Sequence, residues 1–184
     1  MPSEVDTATA GTVERQVVVR QAVGMTQIEI RPFTADDRDW LVASHIEIYE
    51  KGEGFDASFG VLVAQILDDF LAQHDPRSER GWIVWDGTQR LGSVFCVRMG
   101  PQTAKLRLFQ LLPQARGLGL GRLMLQTCTD FARGSGYTEM KLWTHKSHEA
   151  ANALYLRNGW EIIDEQAITN FGQPLVERVM CLSL

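Results

Sequence analysis

Residues 116–122 (Arg116, Gly117, Leu118, Gly119, Leu120, Gly121, Arg122) set three glycines between two arginines, a composition suited to holding a phosphate. Glycines let backbone N–H groups approach an anion closely, a helix N-terminus leaves such groups unpaired, and arginines add charge-assisted hydrogen bonds. The flanking pattern predicts strand, loop, helix: a strand over 103–112, then a helix over 119–133 with Leu120, Met124, Thr127 and Phe131 at steps of four, three and four. Three ligand classes use this architecture, and spacing separates them. The dinucleotide fingerprint needs Gly-x-Gly-x-x-Gly. Counted from Gly117 its third glycine falls on Arg122, and counted from Gly119 it falls on Met124, so both registers fail. A nucleotide P-loop needs Lys and then Ser or Thr after its last glycine. Arg122 and Leu123 stand there instead. What remains is Arg-x-x-Gly-x-Gly on Arg116, Gly119 and Gly121.

The elements that must position this loop follow from periodicity. Residues 28–33 alternate apolar and polar, a strand. Thr34 with Asp37 three places on reads as a helix start, and the helix runs through Trp40, Leu41, Ile46 and Tyr49 until Gly52 and Gly54. A second helix spans 57–73, with Phe59, Leu62, Val63, Ile66, Leu67, Phe70 and Leu71 at helical spacing, and Pro76 stops it. Strands over 81–85 and 90–99 flank the turn pair Asp86-Gly87. In 103–112, Leu106, Leu108 and Gln110 are expected on one face, and Arg107, Phe109 and Leu111 on the other. A strand over 139–144, a short helix over 148–158 closed by Gly159, and strands over 160–167 and 174–184 complete the order. Residues 1–24, whose one apolar run is Val17-Val18-Val19, read as a flexible extension, with Met25 as an alternative start and one domain over 25–184.

Composition narrows the partners. A length of 184 residues suits one domain with a full core. A net charge of −5 argues against a nucleic-acid surface and for a cationic acceptor. No window reaches the roughly 20 apolar residues of a membrane span, and no basic segment leads into an apolar run as in a secretory signal. Cys96, Cys128 and Cys181 are far apart and form no Cys-x-x-Cys pair, which fits reduced core thiols in a cytoplasmic protein. His145 and His148, after the fifth strand, either line the acceptor side as bases or sit on a wet loop, and the loop is the favoured reading. No carboxylate or thiol lies at ligand spacing beside them, so no metal site is expected.

Arg-x-x-Gly-x-Gly on Arg116, Gly119 and Gly121 resembles the coenzyme A signature of the GNAT family of N-acetyltransferases. The approach Leu111-Leu112-Pro113-Gln114-Ala115-Arg116-Gly117 is similar to the family's, and residues 151–160 (A-N-A-L-Y-L-R-N-G-W) are similar to its second signature, with Gly159-Trp160 in place of Gly-Phe. Residues 104–143 further resemble acetyltransferase domains fused to MarR-type regulators. The resemblance implies an α/β (α+β) fold: a mixed, mostly antiparallel sheet of six to seven strands flanked by helices. It implies acetyl-CoA as co-substrate, no metal, a small-molecule or peptide amine as acceptor, and frequent homodimers. The backbone of Phe109, Leu111 and Leu112 would line the pantetheine arm. Backbone amides of Arg116, Gly117, Leu118, Gly119, Leu120 and Gly121 would hold the pyrophosphate, assisted by Arg122. Tyr155 would be the general acid toward the leaving thiolate, and Asn152, one turn earlier, a cofactor contact. One departure stands out: many relatives carry asparagine seven residues before the tyrosine, and here it is His148.

The resemblance does not supply a base. Relatives often place a carboxylate on or near the fourth strand, which here offers Lys105, Arg107 and Gln110. Glu50, Glu53 and Asp56, between the first two helices, are the acidic candidates for the acceptor side, and Phe171 before Gly172 is its other wall. The expected activity is acetyl transfer to a primary amine in a ternary complex. The competing expectation is a non-catalytic acyl-CoA-binding module.

Overall fold

The computed structural model describes residues 16–20 and 25–184. Eight strands among them form one sheet: β1 (Gln16–Arg20), β2 (Met25–Pro32), β3 (Arg80–Asp86), β4 (Gln89–Arg98), β5 (Thr103–Leu111), β6 (Glu139–His145), β7 (Glu161–Asn170) and β8 (Gln173–Ser183). Their order is β1-β2-β3-β4-β5-β6-β8-β7, antiparallel throughout except for the parallel neighbours β5 and β6. Seven of these strands stand where alternation predicted them. The eighth, β1, falls within the stretch read as an extension and pairs with β2 from Gln16↔Glu29 to Arg20↔Met25. Residues 1–15 and 21–24, which carry the rest of that expectation, lie outside the described residues.

Four helices cover the two faces: α1 (Arg38–His45), α2 (Ser58–Gln73), α3 (Leu120–Gly134) and α4 (Glu149–Arg157). Leu41, Val63, Leu67 and Phe70 of α1 and α2 pack with Ile83 and Phe95 on one face. Leu120, Met124, Cys128 and Ala132 of α3, with Tyr155 of α4, pack with Val94, Leu106, Met140 and Met180 on the other. Apolar burial at α3's steps of four anchors that helix. The expected Thr127 is only half-buried and donates to the Leu123 carbonyl, while its neighbour Cys128 takes the core position. At the chain entry to α1, the Asp37 carboxylate accepts from the Thr34 N–H (2.9 Å) and hydroxyl (3.1 Å), so the expected capping pair forms.

Two local irregularities depart from the sequence reading. The helix predicted through Tyr49 keeps α-geometry only to His45, after which Ile46–Lys51 widens into a π-helical segment. Such insertions into an α-helix are uncommon and concentrate at functional sites. In β5 the register with β4 jumps from Phe95↔Arg107 to Ser93↔Gln110, and Leu108 takes φ +48°. This bulge corrects the expected alternation. Leu106 faces the α3 side, yet Leu108 turns to the α1/α2 side, and Phe109 and Leu111 then rejoin Leu106. One extra residue in a strand moves every later side chain to the opposite face.

Candidate active site

β5 and β6 are parallel neighbours for only three residue pairs, Thr103↔Glu139, Ala104↔Met140 and Lys105↔Lys141. Beyond Lys105 the two strands separate, so the β6-facing edge of β5 carries backbone groups with no strand partner on that side. The bulge lies in this separated part, where the Ser93 hydroxyl donates to the Leu108 carbonyl at 2.6 Å. Past it come Phe109, Leu111 and Leu112, the residues expected to line a pantetheine arm. The Phe109 ring lies 6.1 Å from that of Tyr155.

After Leu112 a short 3-10 turn, Pro113–Ala115, leads into the glycine loop. Gly117 and Gly119 take φ +76° and +78°, a conformation side-chain-bearing residues rarely adopt, and a Cβ on either would meet nothing within 4 Å. Gly119 is the N-cap of the 15-residue α3, and no side chain caps that end. The first amides of α3 therefore face outward unpaired. Leu120 is buried and Leu118 half-buried against the core, so these leucines anchor the loop while its backbone stays accessible. Gly121 serves packing: a Cβ there would stand 3.2 Å from Leu154 of α4. Arg116 is exposed and its Nε donates to the Leu111 carbonyl at 3.3 Å, and Arg122 is exposed beside it. An uncapped helix start, two left-handed glycines with open space above them and two exposed guanidinium groups fit a pyrophosphate, and the open edge of β5 fits an extended amide-bearing arm.

Tyr155 sits on α4 with 5% of its surface exposed. Burial, with Tyr49 and Cys128 nearby, pushes its phenol far above the ordinary tyrosine range. The Tyr49 phenol is pushed up to about 12 by burial and by Glu53, against the opposing pull of Arg116. Two protonated phenols thus stand close together where α4 meets the π-helical segment. Asn152, expected to touch the cofactor, is instead occupied within the protein. Its amide donates to the carbonyls of His145 (2.9 Å) and His148 (2.8 Å), and its oxygen accepts from Arg178 (3.2 Å). It ties the start of α4 to the end of β6 and to the middle of β8.

The three acidic candidates have separate fates. Glu50 Oε1 accepts the Gly60 N–H at 2.9 Å, and Asp56 accepts the Ser58 N–H at 2.9 Å and its hydroxyl. Both cap the start of α2, which satisfies helix amides that would otherwise lack partners. Glu53 alone reaches across the cleft, to His148 Nε2 at 2.9 Å. Phe171, at φ +51°, stacks on Phe55 with ring centroids 5.2 Å apart and meets Phe59 edge-on at 5.0 Å. Its carbonyl accepts the Asp56 N–H at 3.0 Å, so the β7–β8 turn closes onto the loop before α2.

The sequence placed Tyr49 only on the first helix and favoured a loop for His145 and His148, whereas His145 ends β6 and His148 is the N-cap of α4. His148 contacts the Tyr49 and His145 rings at 5.8 and 5.1 Å, and His145 meets Phe55 at 5.7 Å. Burial and the neighbouring His148 hold His145 below the ordinary histidine range, and its Nδ1 is buried without a hydrogen-bond partner among the described residues. The available signal was the replacement of asparagine by His148. It did not reveal the partner, Glu53, 95 residues away in sequence.

Residues 38–160 match the model of the acetyltransferase (GNAT) family. N-acetyltransferase 8F1 of Rattus norvegicus is 34% identical over 114 residues, which cover 59% of this chain and 50% of that protein. The chain thus spans about half the length of the curated relatives it matches. Among solved structures, a GNAT-family acetyltransferase from Staphylococcus aureus superposes with a TM-score of 0.70 at 16% identity, covering 85% of this chain and 99% of that one. A GNAT-family acetyltransferase from Elizabethkingia anophelis, solved with acetyl-CoA bound, superposes with a TM-score of 0.61 at 17% identity, covering 85% and 98%. The separated strands, the left-handed glycines and the matched sequence agree: this chain belongs to the acetyltransferase (GNAT) family.

Proposed function

We propose that the chain is an N-acetyltransferase that moves an acetyl group from acetyl-CoA to a primary amine of a small molecule or peptide, in a ternary complex. The observation that carries this reading is the protonated Tyr155 buried beside the open edge of β5, with the uncapped start of α3 at the strand's end. Acetyl-CoA supplies an activated acetyl thioester. The β5 edge at Phe109, Leu111 and Leu112 would hold its arm, and the amides of residues 116–121 with Arg122 its pyrophosphate.

Acyl transfer from a thioester needs an amine free of its proton, donors for the oxyanion and stabilisation of the departing sulfur. Tyr155 meets the last need as a hydrogen-bond donor. A thiol titrates near 8.5, so full proton transfer from a phenol held well above its ordinary range would run uphill, whereas hydrogen bonding to a thiolate would not. For the amine proton, the Glu53–His148 pair is the arrangement available on the acceptor side. When Nε2–H donates to the Glu53 carboxylate, His148 Nδ1 keeps its lone pair and is the accepting atom. Asn152 acts as a positioning residue, because it fixes the backbone of His145 and His148.

The second reading, an acyl-CoA-binding module without catalysis, rests on β5, which presents Lys105, Arg107 and Gln110 and no carboxylate. Gln110 is buried and donates to the Ser44 hydroxyl. Incubation with acetyl-CoA and an amine panel, followed by detection of free thiol, separates the two. Thiol release that depends on an amine is expected. Measurable acetyl-CoA affinity with no release for any amine would establish the binding module.

We further place the protein in the cytoplasm, acting on neither nucleic acid nor membrane. The free, buried Cys96 and Cys128 support that location, and among the described residues no helix is long and apolar enough to cross a membrane. A homodimer is supported by Ile162 and Ile163, exposed on the edge strand β7.

A further inference from the structure

Within β5, Ala104 and Leu106 face the α3/α4 core, so Lys105 and Arg107 face the side that carries α1, α2 and the acceptor walls. On β6, Met140 and Leu142 fix the same division, which puts Trp143 and His145 on the acceptor side. The two strands part after Lys105↔Lys141. Arg107 is therefore the first residue of β5 on that side past the point of separation.

Arg107 differs from its neighbours in having no counter-charge. Lys105 Nζ lies 4.3 Å over the Trp143 ring and feels Glu177, which also faces His145. Elsewhere, half-buried Arg38, Arg90 and Arg178 are matched by Asp68, Asp37 and Glu165, and half-buried Arg80 donates to the Pro76 carbonyl and lies over the Phe131 ring. Arg107 is half-buried, yet among the described residues it makes no hydrogen bond, ion pair or ring contact. Burial holds its guanidinium below the ordinary arginine range, with no neighbouring carboxylate to offset this. A guanidinium carries five N–H donors, and withdrawing them from water without an acceptor is costly. Its planar fork matches a carboxylate through two parallel hydrogen bonds. The pyrophosphate cradle does not meet this demand. It follows Leu111, four residues and roughly 13 Å of strand further on, and α3 lies on the opposite face.

We infer that the acceptor is an amino acid, whose carboxylate is bound by Arg107 while its amine is presented in the cleft between β5 and β6. This rests on the acetyltransferase reading above and narrows its acceptor to a molecule bearing both groups. It also gives a role to the cationic side chain that stands on the strand where relatives often carry a carboxylate.

The test uses the full chain, acetyl-CoA and a panel of twenty L-amino acids, each beside its carboxamide. Thiol release should show kcat/KM at least about tenfold higher for the preferred acid than for its amide. Arg107→Gln should remove that preference, lowering kcat/KM for the acid about tenfold or more while leaving the amide and the acetyl-CoA Kd unchanged. Amides equal to acids, or an equal loss for both in Arg107→Gln, would overturn the inference, the second outcome being the mark of a structural role. Calorimetric binding of N-acetyl amino acids and their amides, without acetyl-CoA, gives a readout independent of turnover. If no amine releases thiol, the acetyltransferase reading fails, and this arm decides the carboxylate site alone. Binding of the acids that Arg107→Gln weakens at least about tenfold sustains it, and equal binding of the amides, or none of either, ends it.

Discussion

At Tyr155 the side chain was legible in the sequence, and its chemistry was not. The second signature marked the position, and an ordinary phenol is protonated at neutral pH, but only packing against Trp160, Phe109 and the neighbourhood of Tyr49 shows that this one is held so far above that range that it acts by hydrogen bonding. Removing the hydroxyl should therefore affect turnover and not cofactor binding. Tyr155→Phe is expected to lower kcat by about 100-fold, in the range found on removing one preorganised hydrogen-bond donor, with the acetyl-CoA Kd within about twofold of wild type. A weaker Kd at unchanged kcat would make Tyr155 a packing residue. Gly119 gives the complementary case. Its left-handed φ of +78° with open space above it means that Gly119→Val disrupts the loop through the backbone, at a cost of about 1–3 kcal/mol. Calorimetry should show acetyl-CoA affinity reduced more than tenfold, and retained affinity would remove the cradle from the site.

At the scale of elements, hydrogen-bond bookkeeping decided which acidic residues are available. Helix α2 starts with unpaired amides, and Glu50 and Asp56 serve them from nearby in sequence and space. The sequence showed three carboxylates in one loop and had no means to divide them, because the division depends on how the π-helical segment turns Glu50 toward Gly60. Glu50→Ala should cost about 1 kcal/mol of stability, the usual loss for a helix cap, and leave KM for the amine unchanged. Urea denaturation beside amine kinetics checks both, and a raised KM with unaltered stability would restore Glu50 to the acceptor side. The bulge at Leu108 is similar. Alternation correctly predicted a strand over 103–112, but a bulge is set by pairing with β4, and Leu108 carries no glycine-like mark for its positive φ.

For the molecule as a whole, the face formed by α1 and α2 encloses His45, which is 3% exposed, stacked on Tyr49 at 5.9 Å and hydrogen-bonded through Nδ1 to the Leu41 carbonyl at 2.9 Å. Burial lowers its pKa from 6.5 to about 4, against a smaller opposing effect of that hydrogen bond. The folded state therefore binds this proton less readily than the unfolded state does. Stability from His45 is complete above about pH 6.5 and declines as pH falls toward 4, by about 3 kcal/mol in total, since each tenfold change in proton affinity is worth about 1.4 kcal/mol. His45→Phe should flatten that part of the stability–pH curve, read as urea midpoints between pH 7 and pH 4. An unchanged slope would show that other groups govern the acid limb.

The order of strands and helices, the glycine loop and the position of Tyr155 were determined by sequence alone, because periodicity, turn residues and anion-binding glycines act within a few neighbours. Tertiary structure decided the β1 pairing, the separation of β5 from β6, the Glu53–His148 contact and the unpartnered state of Arg107. Each of these depends on which distant groups share one low-dielectric space. Arg107 reads in sequence as an ordinary cation on a strand, and only the enclosing fold shows that no carboxylate of the described chain answers it.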